Sequence, residues 1–150
     1  MKSRFRLAVL GLVLALAVAV AAGGCRRSPS TEKELVKLCQ DYTVLFAEKK
    51  FAECREYLTG EALTQFELGL PLLEATKAVQ SRVSDFRGAV DFVNRSGDRA
   101  SVRCTWLQED TVPGAGTVVN RMDVAYDVVK LKGRWLISAV KLLAQETGGK

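Results

Sequence analysis

The feature that most constrains this chain is a change of hydrophobic period near Ser81. Before it, apolar residues recur at spacings of three and four; after it, they alternate every second residue. The first spacing lines one face of an α-helix and the second lines one face of a β-strand. A chain that makes its helices first and its strands afterwards is confined to the α+β class, with helices packed on one side of an antiparallel sheet.

In the helical half, Thr31-Glu32-Lys33-Glu34 has the form of a capping box, with Thr31 as cap and Glu34 reaching back. Leu35, Leu38, Cys39, Tyr42, Leu45 and Phe46 then mark one buried helix face, which ends near Glu48-Lys49-Lys50. Phe51, Cys54, Tyr57 and Leu58 repeat the spacing on a short second helix, stopped at Thr59-Gly60. Leu63, Phe66 and Leu70 give a third. Gly69 and Pro71 interrupt it, and Pro fits a first helical turn better than an interior, so a fresh short helix is expected from Pro71.

In the strand half, Phe86, Gly88, Val90 and Phe92 alternate with Asp85, Arg87, Ala89 and Asp91. The turn Arg95-Ser96-Gly97-Asp98 follows, then Val102, Cys104 and Trp106 in alternation with Ser101, Arg103 and Thr105. EDTVPGAG reads as a loop. From Thr117 to Leu131, Val118, Met122, Val124, Tyr126 and Val128 alternate with Arg121, Asp123 and Asp127. Lys132-Gly133 makes a tight hairpin. On the last strand Trp135, Ile137 and Ala139 are expected to face one way, and Leu136, Val140 and Leu142 the other. One sheet face is thus apolar. The other carries charges of both signs, able to pair across strands as on a solvated face, and too mixed to build one strong field.

The first thirty residues carry a different message. Lys2, Arg4 and Arg6 precede an uncharged run from Leu7 to Ala22, the form of a secretory signal. The run is short for a membrane span, which needs about 20 apolar residues. Its exit, Ala22-Gly23-Gly24-Cys25, resembles the lipobox of bacterial lipoproteins, with Ala22 where that family prefers Leu. The resemblance implies a diacylglyceryl group on Cys25, removal of residues 1–24, and an extracytoplasmic domain lipid-anchored to a bacterial membrane. Two or more acyl chains give stable anchoring where one gives only marginal binding. The alternatives are ordinary cleavage after Ala19 or Ala21, which leaves a soluble secreted protein, and an uncleaved anchor. Residues 25–30 then form a lipidated cysteine and short linker, 31–145 one domain, and 146–150 a C-terminal tail.

Composition narrows the function. Without residues 1–24 the balance is 19 Lys+Arg against 17 Asp+Glu, so the net charge falls from +5 to +2. No basic helix face survives, and nucleic acid is not an expected partner. The absence of histidine removes Ser–His and Cys–His nucleophiles, His general bases and His metal ligands. Cys39, Cys54 and Cys104 show no CxxC spacing, so neither a metal site nor a redox site is expected. Being odd in number, they leave at least one thiol free or paired between molecules.

The whole pattern resembles the NTF2-like (cystatin-like α+β cone) superfamily, through EKKFAECREYLTGEAL as its early helices and VVKLKGRWLISAV as its closing hairpin. The resemblance covers about residues 31–145 and implies helices closing one side of a curved sheet around a conical cavity. It makes Tyr42, Phe92, Trp106, Tyr126 and Trp135 candidates to line that cavity, against the plainer reading that they fill the core. Asn120 joins them by parity, as a buried amide that needs partners. Some members are isomerases or dehydratases with Asp, Tyr or His inside the cone. This chain has no histidine, and its strand carboxylates mostly fall on the polar parity, so no catalytic residue and no cofactor is expected. The expectation is a binding module for a small hydrophobic ligand or an envelope protein, with an isomerase- or dehydratase-type enzyme as the alternative. The resemblance also admits a homodimer through the sheet.

Overall fold

The computed structural model describes residues 28–148. Helix α1 spans Pro29–Ala47, α2 Phe51–Cys54 with a 3-10 turn at Arg55–Tyr57, and α3 Gly60–Ala75. Strands β1 (Gln80–Val93), β2 (Arg99–Val112), β3 (Gly116–Leu131) and β4 (Arg134–Gly148) form one antiparallel sheet in the order β1-β2-β3-β4. The class is α+β, with the helices on one side of the sheet.

Several boundaries differ from the sequence reading. Ser28 rather than Thr31 caps α1, and no side chain makes a capping hydrogen bond. Pro29 takes the first helical position, where its missing N–H costs nothing, so Pro29 and Ser30 belong to the helix and not to a linker. Helix α3 continues through Pro71 to Ala75 instead of restarting there. Leu70 and Leu73 on either side of Pro71 pack against the core, and that burial offsets the lost helix bond. The expected loop at EDTV is strand: β2 runs to Val112 and pairs with β3 as far as Val112↔Gly116. Strand β4 runs to Gly148, so Glu146, Thr147 and Gly148 pair with β3 and are not tail.

The two tight connections follow the residues. Lys49 adopts φ 62° at the end of α1, and the Lys49 and Lys50 amides donate to the Phe46 and Leu45 carbonyls, the Schellman ending that reverses a chain. Lys132 and Gly133, at φ 50° and 79°, make the two-residue hairpin between β3 and β4.

The central pair β2–β3 keeps an unbroken register, whereas each edge strand is bulged twice. In β1 the shifts lie between Ser84 and Arg87 and between Val90 and Phe92. In β4 they lie around Ser138 and Leu143, opposite Asp127/Val128 and Asp123/Val124. A bulge inserts one residue, bends the strand and reverses which face the following side chains occupy. Phe92 is therefore opposite Ser101 on the outer face and 53% exposed, and Val93 takes the inner position opposite Ala100. Val140 and Leu142, opposite Tyr126 and Val124, share the inner face with Trp135 and Ile137, while Ala139 falls opposite Asp127. The strict alternation expected for both edge strands is corrected by these four bulges.

The core lies between α1 and the inner sheet face and holds Leu35, Cys39, Val102, Cys104, Val128 and Ile137 at 1% exposure or less. Residues 28–148 carry a hydrophobic centre of their own, running from Leu35 on α1 to Ile137 on β4. Cys39, Cys54 and Cys104 are buried free thiols. At the start of β4 the Thr59 amide donates to the Ile137 carbonyl at 2.9 Å, and Arg134 donates to the Glu56 carbonyl at 3.0 Å, which close that end of the sheet. The outer face pairs its charges, among them Lys141–Asp127 at 2.6 Å and Arg82–Glu109 at 3.0 Å. Such exposed pairs contribute little to stability.

Gly88 sets how closely α1 approaches. A Cβ there would stand 2.8 Å from Val36 Cγ1, 3.2 Å from Val36 Cγ2 and 3.4 Å from Cys104 Sγ. Val36 is β-branched and turns poorly in a helix. Gly88→Ala is therefore expected to destabilise the domain by about 1–3 kcal/mol through overpacking. Adding Val36→Ala should return part of that loss. Urea titrations of the parent, the two single variants and the double variant check this, and a Gly88→Ala protein as stable as the parent would contradict it.

Candidate functional site

A cavity of about 370 Å³ lies between α1 and the inner sheet face. Its wall is formed by Tyr42, Thr43 and Phe46 from α1, Trp106 and Gln108 from β2, Met122, Val124 and Tyr126 from β3, and Val140 and Leu142 from β4. Tyr42, Phe46 and Val140 also line a second apolar space of about 400 Å³, between α3 and β4, which includes Phe66, Leu72 and Leu73. Together they match the size of small-molecule sites, which are mostly apolar with few polar groups. Leu72 and Leu142 are 77% and 58% exposed at its open side.

The bulge at Ser138 makes this site. It turns Val140 and Leu142 inward opposite Tyr126 and Val124. Helix α1 crosses from β1, where Val36 meets Gly88, towards β3, where Thr43 meets Tyr126. The Thr43 hydroxyl donates to the Cys39 carbonyl at 2.7 Å. Its single proton is then spent, so the Tyr126 hydroxyl, 2.8 Å away, is the donor between the two. Tyr42 packs edge-on against Tyr126 with ring centroids 6.0 Å apart. Burial holds both phenols well above their ordinary range, with Cys54 adding to the shift at Tyr42.

Beyond Gln108 the inner face becomes polar. Asp110 accepts from the Ser81 hydroxyl at 2.6 Å, from Gln108 Nε2 at 3.0 and 3.2 Å, and from Asn120 Nδ2 at 3.2 Å. Thr147 in turn donates to Asn120 Oδ1 at 2.8 Å. All four strands contribute to this collar. Its carboxylate makes no ion pair among the described residues and is occupied by neutral donors on both oxygens.

Of the residues singled out in the sequence, Tyr42, Trp106 and Tyr126 line the cavity. Asn120 is buried and belongs to the collar. Trp135 is 3% exposed in the core near the closed end of the sheet, with Lys130 Nζ 5.4 Å from its ring centroid, and lies outside the cavity wall. Phe92 is displaced to the outer face by the bulge beside it. Cys25 lies outside the described residues. The indole N–H groups of Trp106 and Trp135 are buried without a hydrogen-bond partner among the described residues. Sequence reading missed Gln108 and Asp110, whose inward parity continues directly from Trp106; the Pro-Gly segment that follows concealed it. Among the described residues no cluster of His, Cys, Asp or Glu could hold a metal ion, and no helix is long and apolar enough to cross a membrane.

The fold as a whole superposes on solved structures. The intermembrane-space region of the chloroplast protein ARC6 superposes with a TM-score of 0.58 at 21% identity, over 79% of this chain and 98% of that one. The Kfla4162 protein from Kribbella flavida gives 0.58 at 18% identity, over 79% and 95%. A scytalone dehydratase-like protein from Novosphingobium aromaticivorans gives 0.52 at 14% identity, over 73% and 82%. The fold is NTF2-like. No family model and no curated protein matches the chain. At these identities the likeness extends to the fold alone, and the NTF2-like fold serves both enzymes and non-enzymes.

The buried acidic protons give an alkaline prediction. Burial pushes the Cys54 thiol from 9.0 up to about 12, and Cys39, beside Cys104 and also buried, is raised as well. With Tyr42 and Tyr126 these groups stay protonated longer in the folded chain than in the unfolded one. Their contribution is complete below the ordinary thiol value of 9.0 and is lost as the pH climbs towards 12. The unfolding midpoint is expected to hold up to about pH 8 and to fall steadily above it. A urea series across alkaline pH checks this; a flat profile would show that these groups are not buried as described.

Proposed function

We propose that this chain is a membrane-tethered extracytoplasmic protein whose NTF2-like domain is a non-catalytic binding module for a small apolar molecule. The observation that carries the binding reading is the apolar cavity of about 370 Å³, which shares Tyr42, Phe46 and Val140 with the space beside α3 and is finished on one side by a satisfied polar collar. Its walls are side chains held by sheet and helix, which suits capture without rearrangement.

The state of the proton-bearing groups favours binding over an isomerase- or dehydratase-type reaction. Such chemistry needs a carboxylate or phenol that is free to give or take a proton at the substrate. Here Asp110 is occupied by Ser81, Gln108 and Asn120, Tyr126 donates to Thr43, and the Tyr42 phenol, held protonated by burial, has no carboxylate bonded to it among the described residues. The tether reading rests on the charged start, the apolar run and Ala22-Gly23-Gly24-Cys25. Helix α1 begins at Pro29, which would hold the domain within a few residues of the membrane surface, with Arg26 and Arg27 at the headgroups.

Two measurements test the proposal. Expressed in a bacterium fed labelled fatty acid, the full chain should take up label, and Cys25→Ser should abolish it. An unlabelled parent would refute the lipid anchor. For binding, the chain from residue 25 with Cys25→Ser should quench or shift its tryptophan fluorescence saturably with a ten-carbon amphiphile. Met122→Trp, which fills the cavity, should weaken that binding at least tenfold. Equal binding by both proteins would place the ligand elsewhere.

A further inference from the structure

We infer that the cavity selects a ligand with an apolar body and a hydrogen-bond-donating head, cationic in preference to neutral and neutral in preference to anionic. This rests on the binding reading above and specifies what the site takes.

Gln108 is the polar group that both lines the apolar cavity and belongs to the collar. An amide can turn either end towards a ligand, and its neighbours decide which. Gln108 Nε2 is held by both oxygens of Asp110, at 3.0 and 3.2 Å. Its donor end is thereby committed to the collar, and no donor among the described residues reaches Oε1. The cavity wall therefore presents an acceptor. Asp110 is prevented from rotating away by Ser81 and by Asn120, and Asn120 is fixed in turn by Thr147. The collar so works as a support that fixes one amide orientation.

Charge acts in the same direction. Asp110 brings a negative charge to this end of the cavity, and no cation among the described residues pairs with it. The nearby basic residue Arg82 is bonded to Glu109 at 3.0 Å on the outer face. An ammonium head would gain from both Gln108 Oε1 and the field of Asp110. A hydroxyl head would gain from Oε1 alone. At the collar a carboxylate would face an acceptor and a like charge, the arrangement that specificity against a competitor requires. The aliphatic and aromatic part of the wall, Phe46, Met122, Val124 and Leu142 among it, suits a flexible or flat hydrocarbon body.

The test uses decylamine, decanol and decanoate near neutral pH, where the first is a cation and the last an anion. The protein is the chain from residue 25 carrying Cys25→Ser, which retains every core residue named among the described residues. The expected order is amine, then alcohol, then carboxylate, with at least a tenfold gap between the first and the last. Gln108→Leu should weaken decanol roughly tenfold, because the acceptor at the collar end of the cavity is removed. Asp110→Asn, close in shape and neutral, should narrow the gap between amine and carboxylate. If Gln108→Leu fails to unfold cooperatively, the Asp110→Asn gap decides. Decanoate binding as tightly as decylamine, or a gap unchanged by Asp110→Asn, would overturn this inference while leaving the cavity reading intact. Failure of all three amphiphiles to bind would refute the cavity reading itself and this inference with it.

Discussion

Helix α1 can lie against the sheet only because residue 88 has no side chain. Val36 fills the place where a Cβ would be, and this approach brings the rest of the helix into position. One turn further on, Cys39 is buried beside Cys104. A further turn brings Thr43 to Tyr126, where two hydroxyls and a helix carbonyl satisfy one another. A buried hydroxyl pair of this kind specifies position more than it adds stability, since the net gain of one hydrogen bond is about 1 kcal/mol. From that point the helix face passes over the cavity through Tyr42 and Phe46. The same contact that seals one part of the sheet thus leaves the adjoining part open.

The edge strands complete the shape. Strands β2 and β3 keep their register from Arg99↔Val129 to Val112↔Gly116, and four bulges are confined to β1 and β4. Bending only the edges curls the sheet around α1. Each bulge also redirects side chains. Around Ser138 it delivers Val140 and Leu142 to the cavity, and beside Asp91 it sends Phe92 outward.

This explains what could be read from the sequence. The α+β class, the helix face of Leu35, Cys39 and Tyr42, the Lys132-Gly133 hairpin and the inward parity of Trp106 and Tyr126 follow from local periodicity and turn chemistry. These signals are regular and extend over many residues. Phe92, Val140 and Leu142 were misplaced because a bulge breaks a two-residue period without changing composition. Ser28 and Pro29 start α1 by a local preference that competes with the Thr31 capping box, whereas α3 passing through Pro71 reflects packing that overrides local preference. Gln108 and Asp110 went unseen because polar residues on an inward parity, next to Pro113 and Gly114, read as the start of a loop. Their role depends on Ser81, Asn120 and Thr147, which are distant in the chain and adjacent only across the folded sheet.

The account depends on the inner cavity, rather than the charged outer face, being where a ligand is held. The most direct measurement is a titration of the labelled domain with decylamine, followed by heteronuclear NMR of the Gln108 side-chain amide, the Trp106 indole N–H, the Met122 methyl and the outer-face backbone. The account predicts saturable shifts at Gln108, Trp106 and Met122, with Phe92, Arg103 and Arg121 unmoved. Shifts concentrated on those outer residues, with the Gln108 amide and Met122 methyl unchanged at saturation, would contradict it.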